Sequence, residues 1–419
     1  MAGWLFLAAA LVGALLVVNI YRPIRPNVRL GFLSFFLGWL EAELAVHHIL
    51  WQGIATAIFL GFGALESPAG QLALGVTLVS WAALGFHYLR GFAVRGAVER
   101  ALAEGLGAGY EERIPPEVRE RLSRRVDWLA VAAPFPVSWR HPEVERIRNV
   151  RYGRAGAVDL KLDVYRRRDL PAGRHPVLFY VHGGGWVIGT KDTQGLPLVY
   201  HMASRGWVCV NVNYRLSPHA TFPDHLVDLK RALQWVRKEG PAYGADPDFV
   251  VATGGSAGGH LAAMLALTPN DPELQPGFED ADTRVQGCVP IYGVYDFTGI
   301  QADWRHEDFA PFLERHVMKA RYEDDPTPFQ KASPVHRVGS DAPPFFVVHG
   351  AEDTLVPVGE ARAFVAALRG AGASPVAYAE IPGAQHAFEL FPSLRSILTR
   401  HGIERFLAAL WAEHRTARD

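Results

Sequence analysis

Residues 248–267 read DFVVATGGSAGGHLAAMLAL. The first six form an apolar run that predicts a buried strand, and the last eight predict a helix. The GxSxG turn between them has the strand–turn–helix setting that a nucleophile elbow requires. The serine backbone in such a turn is strained, and its neighbours must be glycine to avoid clashes. We therefore expect Ser256 to be a nucleophile supported by Gly254 and Gly258; the alternative is a purely structural glycine turn.

A second glycine-rich segment, HGGGW at 182–186, follows the apolar run PVLFYV. Consecutive glycines let backbone N–H groups approach a substrate oxygen. We expect Gly184 and Gly185, together with the N–H of Ala257, to form an oxyanion hole. His182 and Gly183 would support this loop, with His182 hydrogen-bonding inside it. A phosphate-binding loop is the alternative, but neither GxGxxG nor a GK[ST] ending is present.

An activated serine needs a general base, and that base needs an orienting carboxylate. In this type of fold the chain order is serine, acid, histidine. The segment HGAEDTLVP at 349–357 follows a predicted strand and contains Asp353, with Glu352 as the second-choice acid. The segment GAQHAF at 383–388 follows the last predicted strand. We expect Asp353 and His386 to complete a catalytic triad with Ser256.

The chain beyond about residue 146 alternates predicted strands and helices, which indicates an α/β domain with a mostly parallel sheet. We assign 146–419 to this domain, with an insertion at about 297–338 that is too long for a plain turn. The strand candidates are 147–152, 160–166, 176–182, 207–213, 248–253, 285–292, 344–349 and 375–381.

Five aromatic residues in this insertion predict an apolar cover for an acyl pocket. Packing of the same rings in the core is the alternative. They are Phe297, Trp304, Phe309, Phe312 and Phe329.

The N-terminal part of the chain has a different composition. Residues 1–95 carry only eight charged side chains, against 77 in the other 324 residues. Three uncharged runs at 2–21, 44–65 and 67–89 are long enough to span a bilayer as helices. We assign 1–95 to an all-α transmembrane domain. The shorter run 30–40 predicts an interfacial or re-entrant segment, and 96–145 a helical connector that could also cover the active site.

Arginine placement predicts the orientation of this domain. With spans near 3–20, 46–65 and 69–89, the arginines lie in the loop after the first span and in the segment after the third span. The positive-inside rule then places the catalytic domain in the cytoplasm and the N-terminus outside. Only about fifty residues separate the last span from the first strand, so we expect the active site near the membrane surface. The arginines are Arg22, Arg25, Arg29, Arg90, Arg95 and Arg100.

Other features narrow the class of protein. The net charge of −1 gives no indication of nucleic-acid binding. Histidine and carboxylate spacing predicts no metal site. The two cysteines, Cys209 and Cys288, lie in apolar runs and are expected to be buried thiols. His260 and His349 are expected to be structural, and Asp228 is expected to tie down the preceding YRLSP loop.

Together, HGGGW, YRLSP followed by FPDHLVD, GGSAGG, GAEDTLVP and GAQHAF resemble the hormone-sensitive-lipase-like branch of α/β-hydrolases, especially actinobacterial esterases. The resemblance covers roughly 145–415. It implies the roles given above for Ser256, Asp353, His386 and the oxyanion donors. Two departures leave the substrate open: Gly255 stands where many relatives carry an acid, and EDTLVP replaces the DPLRD type of acid motif.

We therefore expect a membrane-anchored carboxylesterase or lipase that forms an acyl-enzyme and needs no cofactor. Its substrate would be a small-molecule or lipid ester, with membrane lipids around the N-terminal helices. The same residues also fit a lipid acyltransferase, a prenylcysteine-type methylesterase or an amidase.

Overall fold

The computed structural model describes residues 1–24, 28–133, 140–299 and 309–418. Its N-terminal part is helical because these apolar runs contain few residues that break a helix. The helices are α1 (Ala2–Tyr21), α2 (Val28–Glu43), α3 (Ala45–Gly61), α4 (Pro68–Arg90) and α5 (Ala93–Leu106), then the short α6 (Pro116–Arg119) and α7 (Trp128–Ala132).

Two apolar helical stretches, Ala2–Tyr21 and Pro68–Leu106, are long enough to cross a membrane. A third candidate is bent: Arg29–Glu43 and Ala45–Gly61 meet at 89°. The run 44–65 contains α3, which ends at Gly61, and a separate turn at Ala64–Glu66. Helix α1 packs along α4, and α4 begins at Pro68 with Ser67 as its N-cap.

The C-terminal part contains the predicted strand–helix alternation. Eight strands form one sheet in the order β1-β2-β4-β3-β5-β6-β7-β8, and all neighbours from β4 to β8 are parallel. The first two strands pair antiparallel at one edge. The strands are β1 (Val144–Ala155), β2 (Val158–Arg167), β3 (His175–Val181), β4 (Val208–Val212), β5 (Ala245–Gly255), β6 (Gly287–Ile291), β7 (Phe345–Gly350) and β8 (Val376–Ile381).

Helices cover both faces of this sheet, which explains why its central strands are apolar throughout. One core includes side chains of α9, α10 and α13, and the other includes α5, α8 and α14. The remaining helices are α8 (Leu196–Ser204), α9 (Asp224–Glu239), α10 (Ala257–Leu267), α11 (Phe309–Phe312), α12 (Thr327–Lys331), α13 (Gly359–Gly370) and α14 (Leu394–Thr416).

The predicted connector packs on the catalytic domain. A Cβ on Gly105 of α5 would come within 2.6 Å of Ala377 in β8, so the helix and strand are in close contact. Farther along, the Ser123 N–H donates to Glu404 of α14 at 3.2 Å. Helix α5 is therefore part of the core of the α/β domain, although it lies in a segment that the sequence separates from it.

Candidate active site

The sharp turn after β5 places Ser256 at the carboxyl edge of the sheet. Its backbone has φ 57° and ψ −124°, a strained conformation for a residue with a side chain. A Cβ on Gly258 would lie 2.1 Å from the Val181 carbonyl oxygen, and one on Gly254 would lie 2.4 Å from the same atom. Only glycine therefore allows β3, β5 and α10 to meet this closely, as the sequence predicts.

Gly255 is explained by Tyr292, which follows β6. A Cβ at position 255 would come within 2.6 Å of the Tyr292 hydroxyl oxygen. The Tyr292 ring also lies 4.4 Å from the ring of His386, measured between centroids. Tyr292 thus fills the space between the elbow and His386, and an acidic side chain at position 255 would have no room.

The predicted oxyanion loop follows β3, next to β5 in the sheet. The Gly183 N–H donates to Gln194 Oε1 at 2.6 Å, so this N–H is already occupied. Gly184 and Gly185 have φ of 114° and 57°, which favours glycine. Ala257 begins α10, directly after Ser256. The loop therefore lies beside the elbow, and Gly184 and Gly185 have backbone conformations that residues with side chains rarely adopt.

The predicted acid and base lie together after β7 and β8. His386 Nδ1 is 2.7 Å from Asp353 Oδ2, and both side chains are buried. Asp353 Oδ1 accepts the backbone N–H groups of Leu355 and Val356 at 2.9 and 2.8 Å. Burial alone would raise the pKa of Asp353, but His386 and the nearby His349 outweigh it and hold the pKa below its usual range. Asp353 is thus an anion oriented toward one imidazole nitrogen.

Comparison with known proteins shows the family to which this chain belongs. A protein-family model described as BD-FAE matches residues 162–368. The probable carboxylic ester hydrolase LipM of Mycobacterium tuberculosis is 42% identical over 413 residues, covering 97% of this chain and 93% of LipM. The chain belongs to the carboxylesterase family. The esterase LipQ of the same organism is 51% identical over 389 residues, covering 92% of this chain and 86% of LipQ.

A solved structure supports the fold of this carboxylesterase. The butyrate-bound thermophilic esterase of Thermogutta terrifontis matches with a TM-score of 0.53 at 27% identity, covering 63% of this chain and 91% of that one. The chain is therefore an ester-hydrolysing serine hydrolase with an α/β-hydrolase fold.

Two residues have contacts with the predicted acid and base, or with their loops, that the sequence did not indicate, although His349 was expected to be structural. Gln385 Oε1 accepts the N–H of Thr354 at 2.7 Å and the N–H of His386 at 3.0 Å, which joins the two loops. His349 Nε2 lies 2.9 Å from the Val356 carbonyl and 3.4 Å from Asp353 Oδ2. The available signals were that Gln385 lies inside GAQHAF and that His349 is the first residue of HGAEDTLVP.

Four of the five insertion aromatics lie in the described residues. Phe297 stacks on His260 with ring centroids 4.5 Å apart, and Phe329 is buried, so both are core residues. Phe312 lies near the oxyanion loop, because a Cβ on Gly185 would come within 3.6 Å of its ring. Phe309 lies against Phe312. Trp304 falls outside the described residues.

The other polar residues singled out by sequence have structural contacts. His182 Nδ1 is 2.8 Å from the Gly183 carbonyl, and burial lowers its pKa to about 4. His260 Nε2 is 2.8 Å from the Ala332 carbonyl. Asp228 accepts two hydrogen bonds from the Arg215 guanidinium. Both cysteines are buried and free. Within the described ranges, no group of three or more His, Cys, Asp or Glu residues could hold a metal ion.

Helix α2 lies over the loops that carry the predicted acid and base. Trp39 Nε1 donates to the Ala387 carbonyl at 2.9 Å. Phe35 lies edge-on to His386, with ring centroids 6.1 Å apart. Thr354 Oγ1 donates to the Gly31 carbonyl at 3.0 Å. The run that sequence predicted to be interfacial thus contacts the loops of the proposed triad.

Proposed function

We propose that this carboxylesterase is anchored in a membrane and hydrolyses lipid-soluble carboxylic esters through an acyl-enzyme on Ser256. The observation that carries the proposal is the 2.7 Å contact between His386 Nδ1 and Asp353 Oδ2, at the sheet edge where the elbow presents Ser256. Parallel strands β3, β5, β7 and β8 bring all the motif loops to this edge.

In this mechanism the Ser256 hydroxyl attacks the ester carbonyl while His386 accepts its proton. His386 then protonates the departing alcohol, and Asp353 stabilises the imidazolium. The N–H groups of Gly184, Gly185 and Ala257 stabilise the oxyanion. Water, activated by His386, releases the acid and restores Ser256. Asp353 holds the imidazole tautomer in which Nδ1 carries the proton and Nε2 is the base.

Replacement of Ser256 by alanine tests the reaction. We expect Ser256→Ala to lose on the order of 10⁴–10⁶ in kcat on p-nitrophenyl butyrate, with unchanged thermal unfolding. Covalent labelling by a fluorophosphonate should disappear at the same time. Substantial turnover by purified Ser256→Ala would show that another group is the nucleophile. Assays with prenylcysteine methyl esters, amides and acceptor alcohols separate ester hydrolysis from methylesterase, amidase and acyltransferase activity.

Helices α1 and α4 support the membrane anchor, since they present large apolar side chains outward, such as Leu15 and Val79. In the bent pair of α2 and α3, α3 would provide the third apolar segment. We expect the full chain to stay in the membrane fraction after alkaline carbonate extraction. Its release would contradict the anchor.

The arginines in the loop after α1 and in the segment that begins at the end of α4 support a cytoplasmic catalytic domain. We expect protease added to right-side-out vesicles to leave this domain intact and to digest it only after permeabilisation. Digestion of intact vesicles would reverse the orientation and favour an extracytoplasmic lipase.

A further inference from the structure

Helix α2 is oriented differently from the apolar helices beside it. It meets α3 at 89°, while α1 and α3 both pack on α4. If α3 and α4 cross the bilayer, a helix perpendicular to α3 lies along the membrane surface. This step rests on the membrane anchor proposed above. At 16 residues α2 is also short for a span, but its length suits an interfacial helix.

The inner face of α2 contacts the two loops of the proposed acid and base. We call residues 349–357 the acid loop and residues 383–388 the base loop. Gly31, Phe35 and Trp39 recur every four residues, so they lie on one face of the helix. Gly31 meets the acid loop, and a Cβ there would lie 2.6 Å from the Thr354 carbonyl oxygen. Phe35 faces His386, and Trp39 donates to the base loop and packs on Phe391 with ring centroids 4.9 Å apart.

The outer face of α2 is apolar and exposed. Phe36 is 59% exposed, and its neighbours on this face are exposed as well. A patch of this kind on a soluble surface would be costly, because each large side chain leaves apolar area in water. The residues of this outer face are Phe32, Leu33, Phe36, Leu37 and Leu40.

The C-terminal end of α2 is tied to the same catalytic loop by a buried arginine. Arg395 of α14 donates to the Pro382 carbonyl at 3.0 Å, and Pro382 lies four residues before His386. The same guanidinium donates to the His87 carbonyl of α4 at 2.8 Å and reaches the Ala42 carbonyl of α2 at 3.5 Å. Helices α2 and α4 and the base loop are therefore held together.

We propose that the outer face of α2 binds the lipid surface, and that its inner face positions His386 and Asp353 for esters that enter from that surface. Trp39 is the principal positioning residue. The acyl chain would remain among lipid tails beside α2 while the carbonyl reaches Ser256. The substrate class is therefore esters that partition into a bilayer.

The outer face is tested with the full-length esterase in phosphatidylcholine vesicles containing phosphatidylglycerol. The readout is the ratio of kcat/KM for p-nitrophenyl palmitate, which partitions into lipid, to that for water-soluble p-nitrophenyl acetate. We expect Phe32→Ser combined with Phe36→Ser to lower this ratio about tenfold. Val79→Ser, on the exposed face of α4, is the matched control and should change it less than twofold. An unchanged ratio, or an equal fall in the control, would overturn the proposal.

A second measurement does not depend on a double variant that folds. Both native cysteines are buried, so Phe36→Cys can be labelled selectively with an environment-sensitive fluorophore. We expect quenching by spin-labelled lipid at position 36 and none at Val158→Cys, an exposed apolar position on β2. Equal quenching at the two positions would contradict lipid contact.

The inner face is tested by Trp39→Phe, which removes the indole N–H and keeps an aromatic ring. We expect kcat to fall about tenfold on both esters with little change in KM, because the base loop shifts while binding remains. Trp81→Phe loses a similar indole bond, to Gln52 at 2.9 Å, and should keep its kcat. Equal loss in both variants, or no loss in Trp39→Phe, would overturn the positioning role. Turnover by Ser256→Ala would instead refute the proposed function.

Discussion

The proposed nucleophile and the proposed base of this esterase are held in different ways. Ser256 is positioned by its immediate neighbours, since the glycines of one six-residue turn let two strands and a helix meet. His386 also has a distant contact beside it: Trp39 donates to the carbonyl of the next residue, Ala387, which is 348 positions away in the chain. One half of the proposed site is thus a local backbone feature, whereas the other half is in contact with an N-terminal helix.

The largest expected effect is at Asp353, the proposed acid that contacts His386. Asp353→Asn should lower kcat by about 10⁴, because an amide no longer holds His386 in the productive tautomer. Glu352→Gln removes the adjacent carboxylate and should cost far less. Steady-state kinetics on p-nitrophenyl butyrate measures both. The opposite ranking would move the acid to Glu352.

The elbow side is disturbed by one methyl group. Gly258→Ala would force its Cβ to within 2.1 Å of the Val181 carbonyl oxygen, so β3 and α10 must separate. We expect at least about a 100-fold loss in kcat/KM, because small displacements of reacting groups are costly. Gly370→Ala is the control, since its Cβ would meet no atom within 4 Å. Wild-type activity in Gly258→Ala would show that the elbow tolerates more movement than its contacts imply.

The link between the N-terminal helices and the loop that carries His386 is tested at Arg395. Its guanidinium is buried against backbone carbonyls and near Glu43, so Arg395→Gln leaves a buried carboxyl and carbonyls without their cation. We expect a loss of about 3–5 kcal/mol in the free energy of unfolding, measured by denaturant titration in detergent. Arg284→Gln, which removes an exposed ion pair with Asp282, should change stability by less than about 1 kcal/mol. Similar losses of stability in both variants would mean that Arg395 does not hold the N-terminal helices to the loop that carries His386.

A smaller effect, dependent on pH, comes from Glu389, just after the base loop. Burial raises its pKa from 4.5 to about 7, although Tyr292 and His386 oppose the rise; Glu43 of α2 adds to it. The folded protein therefore retains a proton that the unfolded chain releases between these values. Stability from neutral Glu389 is complete below pH 4.5 and is lost as pH rises to about 7.

Glu389→Gln should remove this pH dependence, which amounts to about 3 kcal/mol at most. Unfolding titrations at pH 5 and pH 8 measure the difference between wild type and variant. Exposed Glu323→Gln provides the control. A wild-type stability that does not fall across this range would contradict the raised pKa.

Much of the catalytic domain could be predicted from local patterns. The eight strands lie at the predicted apolar runs, and the His386–Asp353 contact joins two residues chosen from motif order. These predictions succeed because a parallel sheet brings the loops after its strands to one edge. The run 44–65 forms α3 over Ala45–Gly61 and then a separate turn, because hydropathy measures lipid compatibility and does not show where a helix ends.

The sequence alone therefore determined the strand–turn–helix of the elbow, the glycine-rich loop after β3 and the order of the motifs, because glycine conformation and strand periodicity are properties of short segments. Only the tertiary structure placed Tyr292 behind Gly255, joined the acid and base loops through Gln385, and laid α2 across His386. Those contacts depend on side chains from separate segments meeting at one surface. Local sequence patterns do not predict these contacts, because they follow from how the whole sheet and the N-terminal helices pack together.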